Sequence, residues 1–146
     1  MTSFTQKYKD EIAKQIKALM AIDSPTGYTD DAADYVTNYL KELGYSPVRT
    51  NKGGVTVCLG GESDEAVLLS GHIDTLGAMV EAIKPDGRLK VTAIGGLNPN
   101  NAEAENCTIL TRDGRKYSGT FQLVNASTHV NENYSTESAP STQSRS

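Results

Sequence analysis

The apolar residues of this chain change their period once, and that change sets what the chain folds into. Tyr8, Ile12, Ile16, Leu19 and Met20 recur at steps of three and four, one stripe of an amphipathic helix whose other face carries Lys and Glu. This helix should stop near Asp23-Ser24-Pro25, because the residue before a proline avoids the α region. Ala32, Val36, Tyr39, Leu40 and Leu43 form a second helical stripe. Thr29 or Asp30 suits its N-cap, and Gly44 suits the left-handed position that ends it. Two helices are expected before residue 45.

From Tyr45 onward the pattern is that of strands. Val55, Val57 and Leu59 alternate with polar residues up to Gly60-Gly61, as in a half-buried strand. Val67, Leu68 and Leu69 run without interruption, as in a central strand covered on both faces. Two hairpins then follow. Residues 78–84 and 88–94 flank Pro85-Asp86-Gly87, and residues 107–111 and 115–124 flank Asp113-Gly114. Asp-Gly between alternating runs is a strong local hairpin signal. Residues 95–101 read as a loop. Helices mixed with strands therefore give way to strands alone near residues 74–77, the mark of a domain boundary or of a β insertion into an α/β domain.

Composition narrows the class. In 146 residues, 37% hydrophobic with 13 glycines, one domain with a moderate core is the default. The net charge of −4 and the scattered Lys and Arg argue against a nucleic-acid partner. Cys58 and Cys107 lie far apart in β-like runs and read as buried thiols rather than a disulfide or metal pair. No apolar stretch is long enough to span a bilayer, and the N-terminus lacks the layout of a signal peptide, so a cytoplasmic location is expected with no membrane partner. Residues 135–146 are dominated by Ser and Thr with no large apolar side chain, a composition expected to be disordered.

The chemistry of the chain is concentrated in Gly71-His72-Ile73-Asp74-Thr75. Residues two apart in extended backbone share a face, so His72 and Asp74 point the same way. A carboxylate beside an imidazole fixes its tautomer and raises its basicity, as it does behind a metal-bound histidine. His72 is thus a candidate metal ligand, at the strand end where open α/β sheets build their sites. The same residues also read as a histidine capping a strand, held by an aspartate in a turn. His129, the other histidine, and Glu103, Glu105, Glu132 and Glu137 read as structural or solvated. Asp30, Asp31 and Asp34 read as charges favoured at a helix N-terminus.

Residues 69–96 (LSGHIDTLGAMVEAIKPDGRLKVTAIGG) and 107–133 (CTILTRDGRKYSGTFQLVNASTHVNEN) resemble the M42 family of metallo-aminopeptidases, which form tetrahedral cages. Ser24-Pro25-Thr26-Gly27-Tyr28 is similar to the family's N-terminal turn. The resemblance implies an α/β fold: residues 1–75 as the N-terminal part of a metallopeptidase α/β domain, residues 76–134 as a β-rich inserted domain making subunit contacts, and a truncated whole. It implies an exopeptidase with two divalent metal ions (zinc, cobalt or manganese), peptide substrates and a homo-oligomer. Within it, His72 binds one metal and Asp74 is the catalytic-site carboxylate that orients it.

The family's bridging Asp, its Glu-Glu pair, a further acidic ligand and a distal His all follow the β insertion, and nothing here matches them. The expectation is therefore an inactive polypeptide. Its alternative is a β-rich interaction module or an assembly partner of full-length subunits. A di-metal hydrolase of another family that uses His-x-Asp is a third reading, disfavoured by the Asp-Gly hairpin directly after the motif. The change near Ser135 marks either a disordered extension or a lost reading frame. Apolar runs such as residues 67–69 would stay exposed in such a chain, and aggregation is expected.

Overall fold

The computed structural model describes residues 4–61, 66–122, 129, 132 and 133. The chain divides into two compact units, Met1–Leu76 and Gly77–Ser146. The segment 135–146 and Val124, the expected end of the last strand, lie outside the described residues, and that strand already stops at Thr120, before the described Phe121 and Gln122.

In the first unit, α1 (Phe4–Met20) and α2 (Asp30–Glu42) form where the helical stripes predict them. The stripe of α1 is not buried: Tyr8, Ile12, Ile16 and Met20 are exposed. The helices meet instead through a polar relay. The Tyr35 hydroxyl donates to Gln15 Oε1 at 2.6 Å, and Gln15 Nε2 donates to Glu11 Oε1 at 2.6 Å. Tyr39 donates to the same Glu11 oxygen at 3.1 Å. Among the described residues the buried apolar side chains are only Ala32, Ala33 and Ala102, so small residues, not the large stripe residues, form what core there is.

The ends of α2 show how local chemistry sets a boundary. Thr29 is the N-cap but makes no side-chain cap bond. Asp30 and Asp34 reach Arg49, at 2.8 and 3.3 Å, while Asp30 and Asp31 put negative charge in the first turn. At the other end Gly44 takes φ +87°, Gly44 N–H donates to Lys41 O at 2.9 Å, and Tyr45 N–H donates to Leu40 O at 3.0 Å. That pair of bonds is a Schellman closure, which satisfies carbonyls the helix would otherwise leave unpaired.

Beyond α2, β1 (Val48–Arg49) pairs antiparallel with β2 (Val55–Thr56). Strand β2 is shorter than expected: the alternation of Val57 and Leu59 does not extend it, and Cys58 is exposed rather than buried. The larger correction concerns residues 67–69. They form no strand, and Val67, Leu68 and Leu69 are 89%, 87% and 82% exposed. A strand buried on both faces needs neighbours to pair with it, and the described residues supply none to this run. The first backbone pairing after it is an isolated parallel bridge between Pro25 and Thr75.

Among the described residues, the second unit holds two hairpins and a short helix. Strand β3 (Gly77–Ile83) pairs antiparallel with β4 (Leu89–Ile94), with Val80 opposite Val91 and a register shift between Val80 and Ala82. The bulged residue, Glu81, places its carboxylate 2.6 Å from Lys90 Nζ. Within the expected loop lies α3 (Pro99–Ala102), whose N-cap Asn98 accepts from Asn100 N–H at 3.0 Å, with Pro99 in the first helical position. Strand β5 (Asn106–Leu110) then pairs with β6 (Lys116–Thr120). Cys107 is half-buried, its Sγ 3.2 Å from where a Cβ on Gly119 would lie.

The three hairpins among the described residues close in the same way. In residues 50–54, 84–88 and 111–115 the first N–H donates to the fifth carbonyl at 2.8, 2.8 and 3.0 Å, and the fourth N–H donates to the first carbonyl. The fourth residue is Gly53, Gly87 or Gly114, with φ +82°, +83° or +78°. This is the three-residue loop in which a left-handed glycine forms a bulge. Among the described residues, no helix is long and apolar enough to cross a membrane.

Candidate functional site

The site begins at the Pro25–Thr75 bridge. Thr75 N–H donates to Ser24 O at 2.7 Å and Thr26 N–H donates to Thr75 O at 3.3 Å. These bonds hold the turn after α1 against the residues that follow the apolar run. One consequence is that the Thr26 hydroxyl donates to Asp74 Oδ2 at 2.7 Å. Ser24, beside it, is 1% exposed, and its Oγ has no hydrogen-bond partner among the described residues.

Asp74 holds His72 with its remaining acceptors. His72 Nδ1 lies 3.1 Å from Asp74 Oδ1 and 3.0 Å from the Asp74 backbone carbonyl. A carbonyl oxygen only accepts, so Nδ1 must carry the proton. In the neutral ring, Nε2 then bears the lone pair, on a side chain that is 85% exposed. The Thr26 hydroxyl is the main cause that keeps the Asp74 carboxyl below its ordinary range; partial desolvation opposes it, and the neighbouring His72 adds less. The arrangement is a carboxylate gripped from one side that fixes an imidazole on the other.

The structure thus brings His72 and Asp74 together as their spacing predicts, although the backbone around them is not in a strand. It adds Thr26, which no local pattern links to the pair because 48 positions separate it from Asp74. The only signal in the sequence was the Ser24-Pro25-Thr26-Gly27 turn itself. Other carboxylates are engaged elsewhere: Asp86 with Arg88 at 2.6 Å, Asp113 with Arg115 at 2.7 Å, and Glu11 in the relay between the helices. Among the described residues no group of three or more His, Cys, Asp or Glu side chains could hold a metal ion. Among the described residues the donor set would suit one ligand with its orienting carboxylate, and it does not fit a complete metal centre.

The sequence profile of the M42 glutamyl aminopeptidase family matches residues 53–145, a span that contains both His72 and Asp74. The chain belongs to this family. The M42 match runs past Ser135, so the change of composition there lies inside the matched span. A protein of Bacillus subtilis (strain 168) named "Putative aminopeptidase YhfE" is 45% identical over 116 residues, which cover 79% of this chain and 34% of that protein. The glutamyl aminopeptidase of Lactococcus lactis subsp. cremoris (strain MG1363) is 33% identical over 108 residues, 73% of this chain and 30% of the relative. An aminopeptidase structure from the archaeon Desulfurococcus kamchatkensis superposes with a TM-score of 0.76 at 25% identity, over 91% of this chain and 35% of that one. This M42 chain therefore spans about a third of the length of the relatives it matches.

Proposed function

We propose that this chain contributes His72 as a metal ligand, and Asp74 as the carboxylate that orients it, to the two-metal centre of an aminopeptidase that removes N-terminal residues from peptides. The observation that carries this reading is the tied imidazole: Nδ1 is committed to Asp74 and Nε2 keeps the lone pair, in a chain of the M42 family. A metal-bound histidine commonly has its second nitrogen held in this way. When bound, a pair of divalent ions supplies Lewis acidity at the scissile carbonyl and to the attacking water. An imidazole ligand is compatible with zinc, cobalt or manganese.

The further ligands and the general base must come from outside the described residues, and the 146-residue polypeptide alone is expected not to turn over. The hairpin unit from Gly77 onward corresponds, in this reading, to a β-rich insertion that makes contacts between subunits of a homo-oligomer. The test is to assay the purified chain on a panel of aminoacyl-p-nitroanilides with and without zinc, cobalt or manganese. No hydrolysis above the blank is expected. Turnover that disappears in His72→Ala would overturn the claim of inactivity while supporting the site.

A further inference from the structure

We propose that Thr26 is a positioning residue for His72: by taking Asp74 Oδ2, its hydroxyl leaves Oδ1 to His72 and so holds the imidazole as the Nδ1–H tautomer. The proposal rests on reading His72 as a metal ligand, and it extends that site to a residue on a different segment. Its first support is the division of labour at one carboxylate, with Thr26 on Oδ2 at 2.7 Å and His72 on Oδ1 at 3.1 Å. An aspartate's terminal torsion is broad and roughly two-fold, so a carboxylate held by one oxygen alone is free to turn away from the ring. Held by both, it is not.

The second support is the backbone around Thr26. An exposed hydroxyl competing with water is ordinarily a weak anchor, because most of its bond energy is returned by solvent. Here the hydroxyl does not have to be ordered separately. Thr26 N–H already bonds Thr75 O, Thr75 N–H bonds Ser24 O, and Tyr28 N–H closes the turn on Pro25 O at 2.7 Å, with Gly27 at φ +89°. Thr26 is thus the second residue of a closed turn whose position relative to Asp74 is fixed by neighbouring backbone pairs. The ordering cost is met by the bridge, which leaves the charge-assisted hydroxyl–carboxylate bond free to act on the carboxylate's orientation.

A purely structural threonine would be replaceable by valine, which keeps its shape, whereas a positioning hydroxyl would survive replacement by serine. The tautomer of His72 separates the two. Long-range proton–nitrogen correlation spectra of the metal-free 146-residue chain, taken at alkaline pH with the rings neutral, report the Nδ1–H to Nε2–H ratio directly. Wild type and Thr26→Ser are expected to show Nδ1–H in excess. Thr26→Val should lower the ratio about fivefold, the equivalent of one ordinary net hydrogen bond. The bond from Nδ1 to the Asp74 carbonyl keeps the loss from being complete.

An unchanged ratio in Thr26→Val, or an equal loss in Thr26→Ser, overturns the proposal. If Thr26→Val loses its helical far-ultraviolet signal, the unaltered chain decides: a slowly exchanging Thr26 hydroxyl proton supports the bond, and its absence refutes it. Added zinc separates this proposal from the reading beneath it. A His72 Nε2 resonance that moves no more than that of His129 overturns the ligand role alone, and the tautomer ratio still judges Thr26.

Discussion

The β3–β4 hairpin and the run of Val67, Leu68 and Leu69 look alike in composition, yet one is a paired ladder and the other lies open. Both are apolar and rich in strand-forming side chains. What separates them is the source of the partner. Residues 77–83 find theirs across a tight turn, so the cost of closing the loop is small and the pairing is encoded where it is used. Among the described residues, no turn folds a neighbour back onto residues 67–69. An apolar run thus announces that burial is wanted; it does not say what will cover it.

The sharpest way to break this comparison is to remove the local device. Gly87 stands at φ +83° with nothing within 4 Å of where a Cβ would lie, so a substitution there acts on the backbone alone. Gly87→Val should cost about 1–2 kcal/mol, the penalty of a left-handed conformation for a branched side chain. Amide exchange reads the result. Protection across the Val80–Val91 pair should fall, while the amides of residues 67–69 exchange at open-chain rates in both forms. If β3–β4 stays as protected as before, the turn is not what holds the hairpin.

Non-local contacts do form in the chain, and the α1–α2 relay shows how. Tyr35 and Gln15 are 20 positions apart, and Tyr39 and Glu11 are 28 apart, yet hydroxyl, amide and carboxylate meet while the apolar stripe of α1 stays exposed. Tyr35→Phe should therefore loosen the pair by about 1 kcal/mol, the net worth of one hydrogen bond, as a drop in the thermal midpoint followed by circular dichroism. An unchanged midpoint would show that the relay contributes nothing to holding the helices together.

The same relay predicts a dependence on pH at both ends. Glu11 is held below its ordinary value, mainly by the Gln15 amide and then by Tyr39, against some desolvation. Its contribution is thus complete above the ordinary glutamate value and is lost as pH falls through the lowered one. Tyr39 is pushed up, first by desolvation and then by its bond to Glu11. Its contribution is complete below the ordinary tyrosine value and is lost as pH rises through the raised one. Glu11→Gln should flatten the acid limb of a plot of thermal midpoint against pH. An acid limb that survives that change assigns it to another carboxylate.

What could be read from the sequence follows the same division between local and distant chemistry. Asp86-Gly87 and Asp113-Gly114 announced their turns, and Gly44 announced the end of α2, because each device sits within a few residues of its effect. His72 and Asp74 were legible as a pair for the same reason. Strand β1 and its pairing with β2 escape the pattern because two residues carry no alternation, and α3 escapes it because one turn of helix after Asn98-Pro99 leaves no periodicity to find. Thr26 was invisible to spacing, since a parallel bridge between distant segments brings it to Asp74. The strand expected at residues 67–69 does not form for the complementary reason: among the described residues, none nearby pairs with it.

The smallest effect tests that last point most directly. Leu68 is 87% exposed, and replacing it with lysine removes apolar surface from water without opening a cavity. Leu68→Lys should change the stability of this chain by less than about 0.5 kcal/mol, as exposed substitutions do. A loss of more than about 2 kcal/mol would mean that the run is packed after all, since that is where truncations of buried leucines begin. A charge in the middle of the run should also suppress association through it, so the sedimentation profile at rising concentration should shift toward the smaller species. Were the variant neutral in stability and no less prone to associate, the exposed stripe of α1 would be the surface to change next, because Ile12, Ile16 and Met20 also stand open in the first unit.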